Sequence, residues 1–233
     1  MTGTFINIAA ILIGGTIGLF FGARIPERFK DTVIAGMGLF TSAMGLQMFF
    51  KSGNQLIVLG ALIIGALIGE WLKIEDRLQA FGQTLEQRFS KDSETGAGSK
   101  FVRGFMVSSL LFSIGPMAIL GSIQDGLTGD YNLLAVKSTL DGFASIAFAS
   151  TLGIGVLFSS LITLIYQGGI SLLAGQLNAI ITDLMMAEMT ATGGILLMGV
   201  GVSNLLEIKK IRVGNFLPAL AVAPLIVWVL SLF

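Results

Sequence analysis

The chain has 233 residues, of which 54% are hydrophobic and only 12% charged, and its mean hydropathy is +0.87; a soluble domain carries about 25% charged residues. The formal net charge is zero, so no basic or acidic field points to nucleic acid or to an acidic partner. Cys and His are absent, which excludes disulfides, thiolate nucleophiles, serine–histidine hydrolysis and the usual zinc ligands; no cofactor or metal is expected, and the chain does not read as an enzyme.

Apolar blocks near twenty residues recur in chain order: Thr4 to Ala23, Asp31 to Phe50, Gln55 to Leu72, Phe101 to Ile123, Asn132 to Ser150, Gly153 to Leu173, Met189 to Leu206 and Phe216 to Phe233. Each is long enough to cross a hydrocarbon core of about 30 Å as a helix. The expectation is an all-α, polytopic membrane domain over residues 1–233 with about eight transmembrane helices. Seven is the alternative count, because nothing charged separates the fifth and sixth blocks. No basic region precedes the first block, which favours a retained span over a cleaved signal peptide.

The first block carries Gly14, Gly18 and Gly22 on one face, and the third carries Ala61, Gly65 and Gly69. Small faces of this kind let helix backbones approach where lipid supplies no hydrophobic driving force. They are expected to pack inside the protomer, with a homodimer seam as the alternative. Asn7 and Gln47 are polar groups within apolar blocks, suited to interhelical hydrogen bonds or to lining a site. Glu70 is expected at the inner interface.

Residues 73–100 form the longest polar insert. Ile74, Leu78, Phe81, Leu85 and Phe89 recur at spacings of three and four, which predicts an amphipathic cytoplasmic helix on the membrane or on the protein. The run DSETGAGS, Asp92 to Ser99, reads as a flexible loop.

The chemistry concentrates between Ser113 and Asp141. Gly115 and Pro116 break the fourth block, and the freed carbonyls there, with Ser113, Ser122 and Gln124 nearby, suit a cation or polar solute; a packing kink is the competing account. Asp125 and Asp130, in DGLTGD, read as an exposed turn. Asp141 lies about 13 Å into the fifth helix, close to the bilayer midplane, and Lys137 sits one turn earlier on the same face. Ionisable groups at that depth mark pathways and sites. The pair is either an ion-binding carboxylate with a partner-swapping lysine, or a structural pair with Lys137 snorkelling outward. Asp183 suits the N-terminus of the seventh helix, and Glu188, just before that helix, is a second candidate acid.

Twelve of the fourteen basic residues fall on one side if both termini face out; Lys51 and Lys137 are the exceptions. A faint repeat pairs IGGTIGLFFG (13–22) with QGGISLLAG (167–175), and AGMGLFTSAMGLQ (35–47) with ATGGILLMGVGVS (191–203). Helices one to three then correspond to six to eight in opposite orientation, an arrangement common in secondary transporters.

The segments GTFINIAAILIGGTIG, SIGPMAILGSIQDGLTGDYNLLAVKSTLDGFASIAFASTLGIGV and MAEMTATGGILLMGVGVSNLL resemble the bacterial YdfK/YqgA-like membrane proteins, a family defined as a domain of unknown function. The resemblance covers nearly the whole chain. It implies a multi-pass protein of the bacterial cytoplasmic membrane, and it supplies neither substrate nor catalytic residues.

The residues themselves lead to a secondary transporter or exporter of a small polar or ionic solute, coupled to a proton or sodium gradient. Its site is expected between the broken fourth helix and the fifth, with Asp141 central, Lys137, Ser113, Gly115, Pro116 and Gln124 around it, and Glu188 as second acid. An oligomeric pore and a regulatory subunit docking through the 74–89 helix are the rival readings. An intramembrane aspartyl enzyme lacks a recognisable motif, and an ATP-driven pump lacks a phosphate-binding loop.

Overall fold

The computed structural model describes residues 1–89 and 99–232. Eleven α-helices occur in them: α1 (Thr2–Gly22), α2 (Glu27–Phe49), α3 (Gln55–Leu72), α4 (Ile74–Phe89), α5 (Lys100–Ile114), α6 (Pro116–Thr128), α7 (Asn132–Leu152), α8 (Gly155–Leu172), α9 (Ala174–Ile180), α10 (Asp183–Val200) and α11 (Ala219–Leu230). A π-helical segment, Gly201–Leu205, extends α10, and a 3-10 turn, Val213–Phe216, precedes α11. Among the described residues there is no strand. Seven helical segments are long and apolar enough to cross a membrane. The pair α5 and α6, bent by 63°, makes an eighth if counted as one span.

Local chemistry sets the helix ends. Asn54 caps α3 by accepting from the Leu56 N–H, Ser99 accepts from Val102 N–H at the start of α5, and Thr182 accepts from Met185 N–H at the start of α10. The expected flexible loop at Asp92 to Ser99 therefore loses Ser99, a buried cap; its residues 92–98 lie outside those described. Gly153, with φ of +82°, separates α7 from α8, so an uncharged junction still divides the fifth and sixth apolar blocks.

Some boundaries differ from expectation. The segment Gln124 to Tyr131 is not a free turn, because α6 continues through Thr128 and ends beside Gly129, at φ +73°. The seventh apolar block starts six residues early. Thr182 supplies the cap, and Glu188 sits inside α10 with its charge satisfied by partners rather than by water. Gln47 is exposed on α2.

The described residues fall into two compact units: residues 1–36, 79–113 and 117–179 form the first; residues 37–78, 114–116 and 180–233 form the second. In the first, α1 lies along α7. A Cβ on Gly14, Gly18 or Gly22 would run into the carbonyls of Gly142, Ile146 and Ser150, so these glycines set the closeness of the two backbones. Phe105, Phe112 and Phe148 are fully buried. The apolar stripe of α4 folds onto the protein: Phe81 meets Phe105 edge-on with ring centres 5.8 Å apart, and Phe89 meets Phe158 at 5.1 Å.

In the second unit the small face of α3 is likewise used within the chain. Ala61 is buried against Ala219, Val222 and Ala223; Gly65 abuts Ala219 and Gly69 the Asn215 carbonyl. The intramolecular reading of both small-residue faces is the one observed. Leu56, Ile63, Leu67 and Trp71, spaced by seven, four and four, form an exposed apolar stripe on the other side of α3, as a lipid-facing helix requires. Glu70 is exposed at the end of α3, where it pairs with Arg212 at 2.7 Å and accepts from the Asn215 amide.

Candidate functional site

Helix α7 carries Lys137, Asp141 and Ser145 at four-residue spacing, and all three are buried. Nothing in the 132–152 stretch is charged except Lys137 and Asp141, so each becomes the other's obvious counter-ion one turn away. The Lys137 ammonium donates to Asp141 Oδ2 and sits 5.9 Å from the centre of the Phe112 ring. It is therefore turned into the unit rather than snorkelling outward.

Helix α1 contributes the third group. Asn7, fully buried, donates from Nδ2 to the same Asp141 oxygen at 3.0 Å. Both donors converge on Oδ2, and among the described residues no hydrogen-bond donor reaches the other carboxylate oxygen. The Asn7 carbonyl oxygen, Thr4 Oγ one turn before it and Ser145 Oγ one turn beyond Asp141 are also buried with no partner among the described residues. In a protein interior such groups are nearly always satisfied. Each left bare costs about 1–3 kcal/mol, so this concentration of them fits water or a polar solute better than dry packing.

The remaining sequence-derived candidates divide. Ser113 is buried at the end of α5, one residue beyond Phe112, and its hydroxyl lacks a partner among the described residues. Gly115 and Pro116 are half-buried at the 63° bend, and a Cβ on Gly115 would meet nothing within 4 Å. Gln124 is exposed and is not brought to Asp141. Ser122 is buried; its carbonyl accepts from the Ser171 hydroxyl at 3.0 Å, joining α6 to α8. That places it in a polar seam with Thr163 and Gln167, one-turn neighbours on α8 that are also buried and unpartnered among the described residues.

Glu188 belongs to the second unit and is fully buried. It accepts from Ser52 Oγ at 2.7 Å and from the N–H groups of Gly53 and Asn54, both at 2.8 Å, directly before α3. Its negative charge thus meets the positive end of α3. Asp125 departs from the exposed turn expected of it. It is buried, accepts from the Gly3 N–H at 3.0 Å, and lies 3.2 Å from the amino group of Met1, so it neutralises the start of α1. Each helix with a small-residue face therefore has its N-terminus held by a buried carboxylate from elsewhere in its unit.

A third carboxylate that accepts from a backbone N–H, this one half-buried, lies outside the spans. Glu75, in α4, accepts from the Gly214 N–H at 2.6 Å, while its own N–H donates to Asn215 Oδ1 at 2.7 Å. Burial pushes its carboxyl above the ordinary range, and the Gly214 bond opposes that only in part.

Comparison with known proteins agrees with this architecture at the level of family. Residues 2–228 match the family described as "Protein of unknown function (DUF554)". The uncharacterized membrane protein YdfK of Bacillus subtilis is 33% identical, the alignment covering all of this chain and 98% of YdfK. The uncharacterized protein YqgA of Escherichia coli is also 33% identical, over 95% of this chain and 94% of YqgA. No solved structure matches. With the match running through nearly every described helix, the chain belongs to the DUF554 family.

Proposed function

We propose that the protein is a secondary transporter or exporter of a small polar or ionic solute in the bacterial cytoplasmic membrane, coupled to a proton or sodium gradient. The observation that carries this reading is the buried Lys137–Asp141–Asn7 cluster inside a membrane-spanning helix pair. A carboxylate oxygen and an amide oxygen without donors offer acceptors to a cation or to a solute bearing N–H or O–H groups. In this mechanism a cation arriving at Asp141, or a proton taken up there, weakens the hold on Lys137, and the freed ammonium is then available to an anionic part of the solute. Ser113, at the α5 end next to Phe112 and with an unpartnered hydroxyl among the described residues, is the further polar group this reading assigns to the same unit.

Alternating access by an inverted repeat accompanies this reading. Support comes from the second unit. The repeat alignment pairs Gly38 with Gly194 and Gly45 with Gly201. Gly45 lies on Gly194, and Gly201 lies on Gly38. These two contacts exchange under the pairing, as a two-fold relation between α2 and the α10 span demands. The charge distribution favours both termini outside, with residues 24–30, 73–103 and 209–212 in the cytoplasm.

The test is thermal stabilisation of the purified protein by amino acids, organic acids and inorganic ions, at several proton and sodium concentrations, in wild type and Asp141→Asn. A solute that stabilises wild type alone supports the site. Equal stabilisation of both proteins places binding away from Asp141.

A further inference from the structure

An apolar cavity lined by none of the Asp141 cluster lies in the second unit. A cavity of about 320 Å³ opens among Leu62 of α3, Ile195 and Met198 of α10, Val202 of the π-helical segment, and Ile211 and Val213 of the segment before α11. That volume is at the lower end of the roughly 300–1,000 Å³ typical of small-ligand pockets. No charged side chain lines it. Its occupant must be apolar, since a polar guest would lose its hydration without replacement.

The chain at its edge supplies the opposite character. Glu207 turns the backbone with a left-handed φ of +54°, and Ile208 to Arg212 then run without helical structure. Ser203 fixes this run by accepting from the Ile211 N–H at 2.8 Å and donating to its carbonyl at 3.1 Å. Ile211 and Val213 thereby become cavity wall, while Lys209, Lys210 and Arg212 are exposed. Arg212 is engaged by Glu70 and Lys210 is near enough to Glu75 to attract its carboxylate, while Lys209 and Lys210 both remain exposed to solvent. Ile208 is 72% exposed, as suits a residue dipping into the lipid interface. Ile195 is six residues before Gly201, so the apolar walls reach about 9 Å in from the π-helical segment.

We propose that this unit binds an anionic phospholipid, with one acyl chain in the cavity and its phosphate on Lys209 and Lys210. Charge complementarity selects the occupant: apolar depth beneath a pair of exposed lysines matches an acyl chain beneath a phosphate. A basic juxtamembrane loop faces the leaflet where anionic lipids meet the positive-inside charges.

Native mass spectrometry of the detergent-purified protein, incubated with phosphatidylglycerol or phosphatidylcholine of equal acyl length, tests this. Wild type is expected to retain phosphatidylglycerol roughly tenfold better or more. The double variant Lys209→Gln/Lys210→Gln should retain both lipids equally, and Val202→Phe should retain less of either. The lysines are exposed, so their variant tests the headgroup however Val202→Phe folds. Equal retention of both lipids by wild type, or an unchanged preference in the lysine variant, overturns the proposal. So does a thermal shift with inorganic phosphate as large as that with phosphatidylglycerol, since the site would then hold a free anion.

Discussion

The Asn7 carboxamide and the Asp141 carboxylate stand 134 residues apart in the chain and meet at 3.0 Å, on the oxygen that also accepts from Lys137. Glycines make the meeting feasible. The absence of side chains at Gly14, Gly18 and Gly22 lets α1 lie directly on the α7 carbonyls, which brings Asn7 within reach of a side chain as short as that of Asp.

The ion pair should behave as a unit. Lys137→Met leaves a buried carboxylate with only Asn7 as donor, at a cost of about 3–5 kcal/mol, whereas removing both charges in Lys137→Met/Asp141→Leu recovers much of that loss. Thermal unfolding in detergent of the single and double variants measures the coupling. Additive losses would mean that the two side chains do not share a site.

Backbone approach between α1 and α7 makes a second prediction. Gly18→Val places a side chain into the Ile146 carbonyl and should destabilise the first unit by about 1–3 kcal/mol. Gly36→Ala, in α2, meets nothing within 4 Å and should be neutral or stabilising by about 0.4–1 kcal/mol. Melting temperatures falling in the reverse order would contradict the packing.

Much of this architecture is legible from residue order, and the remainder has a physical reason for being hidden. The apolar blocks, the 74–89 stripe and the small-residue faces are periodic features, and periodicity survives in one dimension. Asp141 is visible because a charge deep in an apolar run must be compensated. Its partner Asn7 stands out as polar among apolar neighbours, but the pairing itself depends on tertiary contact. Asp125 misleads: DGLTGD has turn composition, yet α6 runs on through Thr128 because the carboxylate is satisfied by the start of α1 rather than by solvent. Glu188 is legible as a buried acid, while Ser52, Gly53 and Asn54 are ordinary loop residues until the fold sets them on it.

Glu188 should matter for the start of α3 before it matters for anything else. Glu188→Ala strips three donors of their acceptor and is expected to cost about 2 kcal/mol or more, whereas Glu188→Gln keeps an acceptor oxygen for part of the set and costs less. Hydrogen exchange at residues 53–56 reports the difference; unchanged protection in Glu188→Ala would remove the capping role.

Glu75 links stability to pH. Its carboxyl titrates above the ordinary value of 4.5 in the folded protein, chiefly through burial, so the folded state binds its proton more tightly than the unfolded chain. The resulting stabilisation is full below about 4.5 and is lost as pH rises through the raised folded value. Wild type should therefore gain stability relative to Glu75→Gln as pH falls from neutral towards that value. Parallel stability profiles for the two proteins would contradict the assignment.

The most direct test of a polar solute site at Asp141 is solute-evoked charge movement in proteoliposomes under proton and sodium gradients. Wild type, Asp141→Asn and the charge-free Lys137→Gln/Asp141→Asn are compared after each has been checked for folding by its melting transition. A saturable, gradient-dependent signal for one class of solute in wild type, absent from both folded variants, is the predicted result. A full signal in either variant, or a current that never saturates, would contradict a transporter built around Asp141.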